Sequence, residues 1–123
     1  MNYVVFDLEW NQSPYGKTHE IARLPFEIIE IGAVKLNEKR EVLDTFQVIV
    51  RPAVYKRLNY HNREIVHLSQ RDLDRGTWFP DAVRQFLSWS GPDSVFCTWG
   101  TVDLQDLQRN MKYYNLLPLL RGQ

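Results

Sequence analysis

The chain carries a single cysteine, Cys97, so no disulfide can form within its 123 residues, and this fits a reducing compartment. It has no apolar run approaching membrane-spanning length, which gives no reason to place it in a bilayer. It has no net charge either, fifteen basic residues balancing fifteen acidic ones. A protein that grips nucleic acid through a broad phosphate footprint is usually basic, so a histone-like or operator-binding role is disfavoured. A nuclease is not, because an acidic metal site offsets basic residues placed elsewhere. Internal repeats, low-complexity tracts and a secretory pattern are also missing, since a strand-like run begins at Tyr3 and meets Asp7 almost at once. The cytoplasm is the expected location.

What is present is ordinary for one folded domain: 44% apolar and 24% charged residues, with aromatics on the rich side at 13%. Tyr3-Val4-Val5-Phe6 reads as a strand able to be buried on both faces. Asn11 to Lys17 reads as a loop, and Ile28 to Leu36 as a second strand. The polar turn Asn37-Glu38-Lys39-Arg40 leads into a third strand from Val42 to Val50, an antiparallel pairing that Pro52 closes. Asn62 is placed to cap a short helix through His67, and Ser69 to Asp72 resembles a capping box that Gly76 soon stops. A helix from Pro80 to Trp89, a strand from Ser94 to Thr98 and a helix along Leu104, Leu107 and Met111 follow. The order β-β-β-α-β-α predicts a mixed sheet flanked by helices, an α/β fold.

The chemistry concentrates in Phe6-Asp7-Leu8-Glu9. Residues two apart in a strand share a face, so Asp7 and Glu9 put two carboxylates side by side at a strand end. That arrangement favours a hard cation between them, Mg²⁺ or Mn²⁺, although Asp-x-Glu is also a common string on solvated strand ends. Asp103 opens the last helix. If the strand before it runs parallel to the first, their carboxyl ends lie together and Asp103 faces Asp7. Asp is also a favoured residue of a helix first turn, and Asp106 competes for the same role one turn later. Glu30, set among isoleucines, is expected to be buried and hydrogen-bonded. His19, His61 and His67 are read as structural or solvent-facing, and Arg51, Lys56, Arg57 and Arg63 as a basic rim or a solvated cluster.

These segments resemble, in order, the motifs of the DEDD superfamily of 3′→5′ exonucleases, DEDDh type. Tyr3 to Trp10 (YVVFDLEW) is similar to its first exonuclease motif, Phe26 to Leu36 (FEIIEIGAVKL) to its second strand, and Thr98 to Leu107 to its second motif, with Asp103 as the third acid. The Cys-x-x-Gly-x-x-Asp string resembles the KapD-like and histone-mRNA-exonuclease-like branch. The resemblance implies a ribonuclease H-like mixed sheet over residues 1–123, read as the amino-terminal portion of an exonuclease domain. It implies two-metal hydrolysis with Mg²⁺ or Mn²⁺, Asp7, Glu9 and Asp103 being catalytic and metal-binding. Leu8 and Trp10 are then substrate contacts, and the partner is a nucleic acid 3′ end, RNA or DNA.

The chain departs from that pattern at its end, where a further strand, a helix, a His and a fourth acid are expected. Asp106 is the last acid and no His follows His67, so the chain is read as truncated and, alone, weakly active or inactive. The open sheet edge left behind predicts self-association or a partner. The alternative is a non-catalytic nucleic-acid or protein binding module on the same fold. A small α/β signalling domain is a further alternative, but it needs parallel β-α-β alternation from the start.

Overall fold

The computed structural model of the protein describes residues 1–16, 19–59, 67–98 and 101–116. Three long strands come first: β1 (Asn2–Asn11), β2 (Glu27–Leu36) and β3 (Val42–Arg51). The short helix α1 (Gln70–Asp74) and the two-residue strand β4 (Thr77–Trp78) follow, then α2 (Phe79–Ser90), β5 (Ser94–Cys97) and α3 (Thr101–Tyr113). In space the strands run β4-β3-β2-β1-β5. β1, β2 and β3 are antiparallel neighbours, whereas β5 pairs parallel with β1 and β4 parallel with β3. The antiparallel start excludes the signalling-domain alternative. The mixed α/β sheet agrees with the expected fold class, and β4 is an addition to the expected order.

The two faces of the sheet differ in kind. Val4, Phe6 and Leu8 alternate inward on β1 and join Ile28, Ile31 and Ala33 of β2 and Val50 of β3 in the main core. Helix α2 lays Phe79, Ala82, Val83, Phe86 and Leu87 on that face, and Leu107 and Met111 of α3 complete it. Phe86 sits at its centre, with ring centroids 5.7 Å from each of Phe6, Phe46 and Phe96. The expectation that Tyr3 to Phe6 is buried on both faces is therefore corrected. Val4 and Phe6 are buried but Tyr3 and Val5 are only half-buried, because both long helices cover the same face. Among the described residues the opposite face has only a small cluster, Ile29, Leu58, Leu68 and Leu73 with Ile49, and none of these lies over Asp7.

A bulge explains how Ile29 reaches that second cluster. Glu9 pairs with Glu30 but Trp10 pairs with Ile28, so Ile29 is the extra residue and the face pattern of β2 changes phase there. The capping box reading of α1 holds: Ser69 Oγ accepts from Asp72 N, and Asp72 Oδ2 accepts from Ser69 N at 2.9 Å. Of the expected helix from Asn62 to His67, residues 60–66, with His61 and Arg63, lie outside the described residues, as does Trp99; His67 itself is in a turn. No helix among the described residues is long and apolar enough to cross a membrane. β5 forms one edge of the sheet, and Val95, Val102 and Leu104 are exposed.

Gly76 stops α1 for a reason beyond helix propensity. A Cβ placed there would stand 2.7 Å from Arg51 N and 2.9 Å from both Ile49 O and Val50 C. All three are backbone atoms of β3, held in the sheet and unable to give way cheaply. Gly76→Ala is expected to cost about 1–3 kcal/mol of stability, the usual range for overpacking. Urea denaturation will read this as a lower midpoint with an unchanged slope.

Candidate active site

Asp7, Glu9 and Asp103 reach the site by three different routes. β1 alternates, so Asp7 and Glu9 face away from the main core, Asp7 exposed and Glu9 half-buried. Parallel pairing of β1 with β5 runs from Asn2 opposite Ser94 to Val5 opposite Cys97, after which β1 continues beyond its partner. The chain leaves β5 there and enters α3, so the first turn of that helix comes alongside the free side of β1. Asp103 lies in that turn, its carboxyl group hydrogen-bonded to that of Asp7 and accepting from the backbone N–H of Leu8. Asp106 does not compete for this position. It is buried, on the helix side of Leu107 and Asn110, and among the described residues its Oδ2 has no partner.

The electrostatics follow from this geometry. The Asp103 carboxyl is raised to about 6, first by burial, then by the charge of Asp7 and the hydrogen bond to it, then by Asp106. The Leu8 N–H opposes the rise. Two carboxyls that bond to each other need a proton between them, or a cation in its place. Burial also raises Asp106, against the pull of Arg109. Asp7 faces Gly32 across the ladder, and a Cβ at Gly32 would meet nothing within 4 Å. Neither packing nor backbone strain demands a glycine there, so its effect is to keep the space beside Asp7 empty. A mid-strand glycine is a signal for close approach by a ligand, and it was readable in the sequence.

Leu8 and Trp10, expected as substrate contacts, lie on the other face. The Leu8 side chain is 3% exposed in the main core, so what it offers the site is its backbone N–H. Trp10 packs against that core, 5.9 Å from the ring of Phe26. Glu30 is buried and hydrogen-bonded, as expected: Gln47 Nε2 donates to its Oε2 at 2.7 Å, and His67 Nε2 lies 2.8 Å from its Oε1. The hydrogen bond to Glu30 raises His67 above the usual histidine range. Gln47 carried no sequence signal; it joins the site because its strand register places it opposite Gly32.

An exonuclease family model, RNase_T, matches residues 4–119. The chain belongs to that exonuclease family. It is 31% identical over 115 residues to the probable 3′-5′ exonuclease KapD of Bacillus subtilis (strain 168), an alignment covering 92% of this chain and 54% of KapD. It is 36% identical over 64 residues to 3′-5′ exoribonuclease 1 of Rattus norvegicus, covering 51% of this chain and 19% of that protein. Among solved structures, the nuclease domain of 3′hExo, a DEDDh family member bound to rAMP, superposes with a TM-score of 0.77 at 24% identity. That match covers 94% of this chain and 60% of the other. Cell-death related nuclease 4 gives 0.76 at 20% identity, covering 93% of this chain and 40% of its own. At these identities the structural likeness speaks for the fold. By family, then, this is an exonuclease-family chain, and it spans about half the length of KapD.

The donor set suits hard divalent metal ions by its chemistry. It is made of carboxylate oxygens, Asp7 and Asp103 already in contact, with open space beside them. The raised Asp103 carries a pH prediction. Between the ordinary carboxylate range and about 6, the folded state holds a proton that the unfolded chain has released, so stability falls as pH rises through that window. Metal-free protein is therefore expected to show a lower Tm at pH 7 than at pH 5, and Mn²⁺ to restore it at pH 7. Differential scanning calorimetry at the two pH values, with and without Mn²⁺, checks this.

Proposed function

We propose that Asp7, Glu9 and Asp103 hold Mg²⁺ or Mn²⁺ and serve the removal of nucleotides from the 3′ end of RNA or DNA. The observation that carries this reading is the hydrogen-bonded Asp7–Asp103 pair, formed where β1 runs on past the end of its parallel partner β5. When bound, the ions supply an activated water and stabilise charge on the phosphate and on the leaving oxygen. The chain's part is to fix the acids. Parallel pairing brings Asp103 to Asp7, the Leu8 N–H orients the Asp103 carboxylate, and Gly32 keeps the approach clear.

A cleft of about 300 Å³ lined by residues including Tyr15, His19, Lys56 and Arg57 lies just beyond the end of β1. Its Ser13 is six residues from Asp7, so the two Cα atoms stand no more than about 22 Å apart, a few nucleotides of an extended strand. Basic and aromatic groups at that distance suit a single strand leading to the acids. The 123 residues contain no His after His67 and no acid after Asp106. A general base is worth about 10²–10⁴-fold, so we expect metal binding with weak turnover from these residues alone. Among the described residues β5 is an edge of the sheet with Val95 exposed on it, and this is the surface we assign to self-association.

The test is calorimetric titration of Mn²⁺ followed by an assay on a 5′-labelled single-stranded oligonucleotide. Saturable binding with slow, metal-dependent shortening from the 3′ end supports the proposal. Absence of Mn²⁺ binding overturns it, and rapid shortening overturns the weak-turnover part alone.

A further inference from the structure

A second set of donors converges on the same face of the sheet, outside the Asp7–Asp103 contact. Glu9 and Glu30 are cross-strand partners, and His67 comes in beside them just before α1. One donor atom from each of Glu9, Glu30 and His67 lies within 4.8 Å of the other two. His67 Nε2 and Glu30 Oε1 are 2.8 Å apart. Two donors on one ion at about 2.0–2.1 Å stand about 2.8–3.4 Å from each other, for angles between octahedral and tetrahedral. Those two atoms are therefore already at a spacing that one ion can bridge, and Glu9 needs only a small side-chain movement to join them.

The surroundings are enclosed on the Glu30 side and open to solvent at His67, which is half exposed. Glu30 is 8% exposed, and its second oxygen is fixed by Gln47 Nε2 at 2.7 Å, the outer hydrogen bond that orients a ligating carboxylate. Leu68 follows His67 directly and Ile49 pairs opposite Glu30, both belonging to the small apolar cluster, so one wall of the site is dry. Two carboxylates directly opposite across an antiparallel pair repel each other unless a positive charge lies by them, and protonated His67 or a bound cation in place of its proton supplies that charge.

We infer that Glu9, Glu30 and His67 form a separate site for a borderline transition-metal ion, with Zn²⁺ as its representative. An imidazole with two carboxylates, and a position left open for water, suits Zn²⁺ and its neighbours, whereas Mg²⁺ prefers oxygen alone. Glu9 belongs both to this set and to the acids proposed above for Mg²⁺ or Mn²⁺. An ion held by His67 and Glu30 competes for the Glu9 carboxylate with the ions proposed above, so Zn²⁺ bound here inhibits. Binding at this site stands independently of the nuclease reading; the inhibition rests on it.

The experiment is calorimetric titration of Zn²⁺ into the 123-residue protein, its His67→Ala, Gln47→Ala and Asp7→Asn variants, with saturating Mg²⁺ present throughout. We expect one Zn²⁺ per chain, an affinity lowered about 100-fold or more by His67→Ala and about 10-fold by Gln47→Ala, and binding retained in Asp7→Asn. Unchanged affinity in His67→Ala, loss of the site in Asp7→Asn, or no binding to the wild-type protein each overturns the inference. Should His67→Ala fail to fold, the histidine nitrogen resonances of the wild-type protein decide instead. Zn²⁺ is then expected to shift His67 Nε2 and to leave His19 and His61 in place, and a shift confined to either of those two overturns the site. If the nuclease reading alone fails, Mn²⁺ binding is absent while the Zn²⁺ results stand.

Discussion

Asp7→Asn is expected to weaken Mn²⁺ binding severely and yet to raise the Tm of the metal-free protein near pH 7. The two effects share one cause. Asp7 and Asp103 are bonded to each other with Asp103 raised to about 6, so near neutral pH the pair must either keep a shared proton or repel. An asparagine amide donates a hydrogen bond to the Asp103 carboxylate without that proton and without a like charge. Asp103 then falls toward the ordinary carboxylate range, though not fully, because burial is the largest cause of its rise and burial remains. The stability that the wild-type protein loses between the ordinary carboxylate range and pH 6 is thereby partly kept. The cost appears in function. On the proposed assignment a metal ion loses one of its carboxylates, and binding should weaken by about 100-fold or more. Any 3′-end cleavage should fall about 1,000-fold, corresponding to roughly 4 kcal/mol of metal-assisted charge stabilisation. Calorimetric Mn²⁺ titration, thermal unfolding and the oligonucleotide assay read the three effects separately. A variant that is less stable than the wild-type protein and still binds Mn²⁺ would mean that the pair is not the metal site.

The same pair shows how far a sequence carries this kind of argument. That Asp7 and Glu9 share a face is local, a consequence of strand period alone, and it could be read from four residues. That Asp103 meets Asp7 is not local, because it depends on β5 lying parallel to β1 and ending four residues short of Glu9, a register visible only in the folded sheet. From the sequence the meeting follows only on the condition that the two strands run parallel. Helix α1 was legible from Ser69 and Asp72 because a capping box is written within four residues. Leu8, a substrate contact that the resemblance implies through backbone or side chain, sends its side chain into the core by strand alternation and leaves its backbone N–H facing the acids. The bulge at Ile29 was also hidden, since a run of apolar residues looks alike in either phase. Hardest to read were the buried polar anchors, Glu27, Asn11 and Asn110, whose partners lie far away in sequence. Nothing in the sequence near Glu27 marks its carboxylate as a receiver of backbone groups from the segment after β3.

Glu27→Ala is expected to be the most destabilising of the single changes considered, for reasons that lie outside the acids. Glu27 is 3% exposed, and its two oxygens accept from three successive backbone N–H groups: Ala53 at 2.8 Å, Val54 at 3.1 and 3.2 Å, and Tyr55 at 2.6 Å. Tyr114 bonds it as well. Burial raises the Glu27 carboxyl, and the three N–H groups work against that rise, so the charge is held in place by the backbone it organises. The same segment is gripped from the other side by Asn11, which donates to Tyr55 O at 3.0 Å and Arg57 O at 2.8 Å and accepts from Asn59 N at 2.9 Å. Tyr55 in turn donates its hydroxyl to Leu24 O at 2.6 Å. Removing the carboxylate leaves donors without acceptors in a buried place, at about 1–3 kcal/mol for each that water does not reach. A loss of about 3 kcal/mol is expected, lowering Tm by about 10 °C in a domain of this size. Glu27→Gln keeps one oxygen but turns an NH₂ group toward the donors, so it should fall between alanine and the wild-type protein. Because residues 53–59 carry Lys56 and Arg57 into the cleft beyond β1, the alanine variant should also weaken oligonucleotide binding while leaving the Asp7–Asp103 contact intact. Equal stability of Glu27→Ala and the wild-type protein in urea would show that the segment is held by Asn11 and Tyr55 alone.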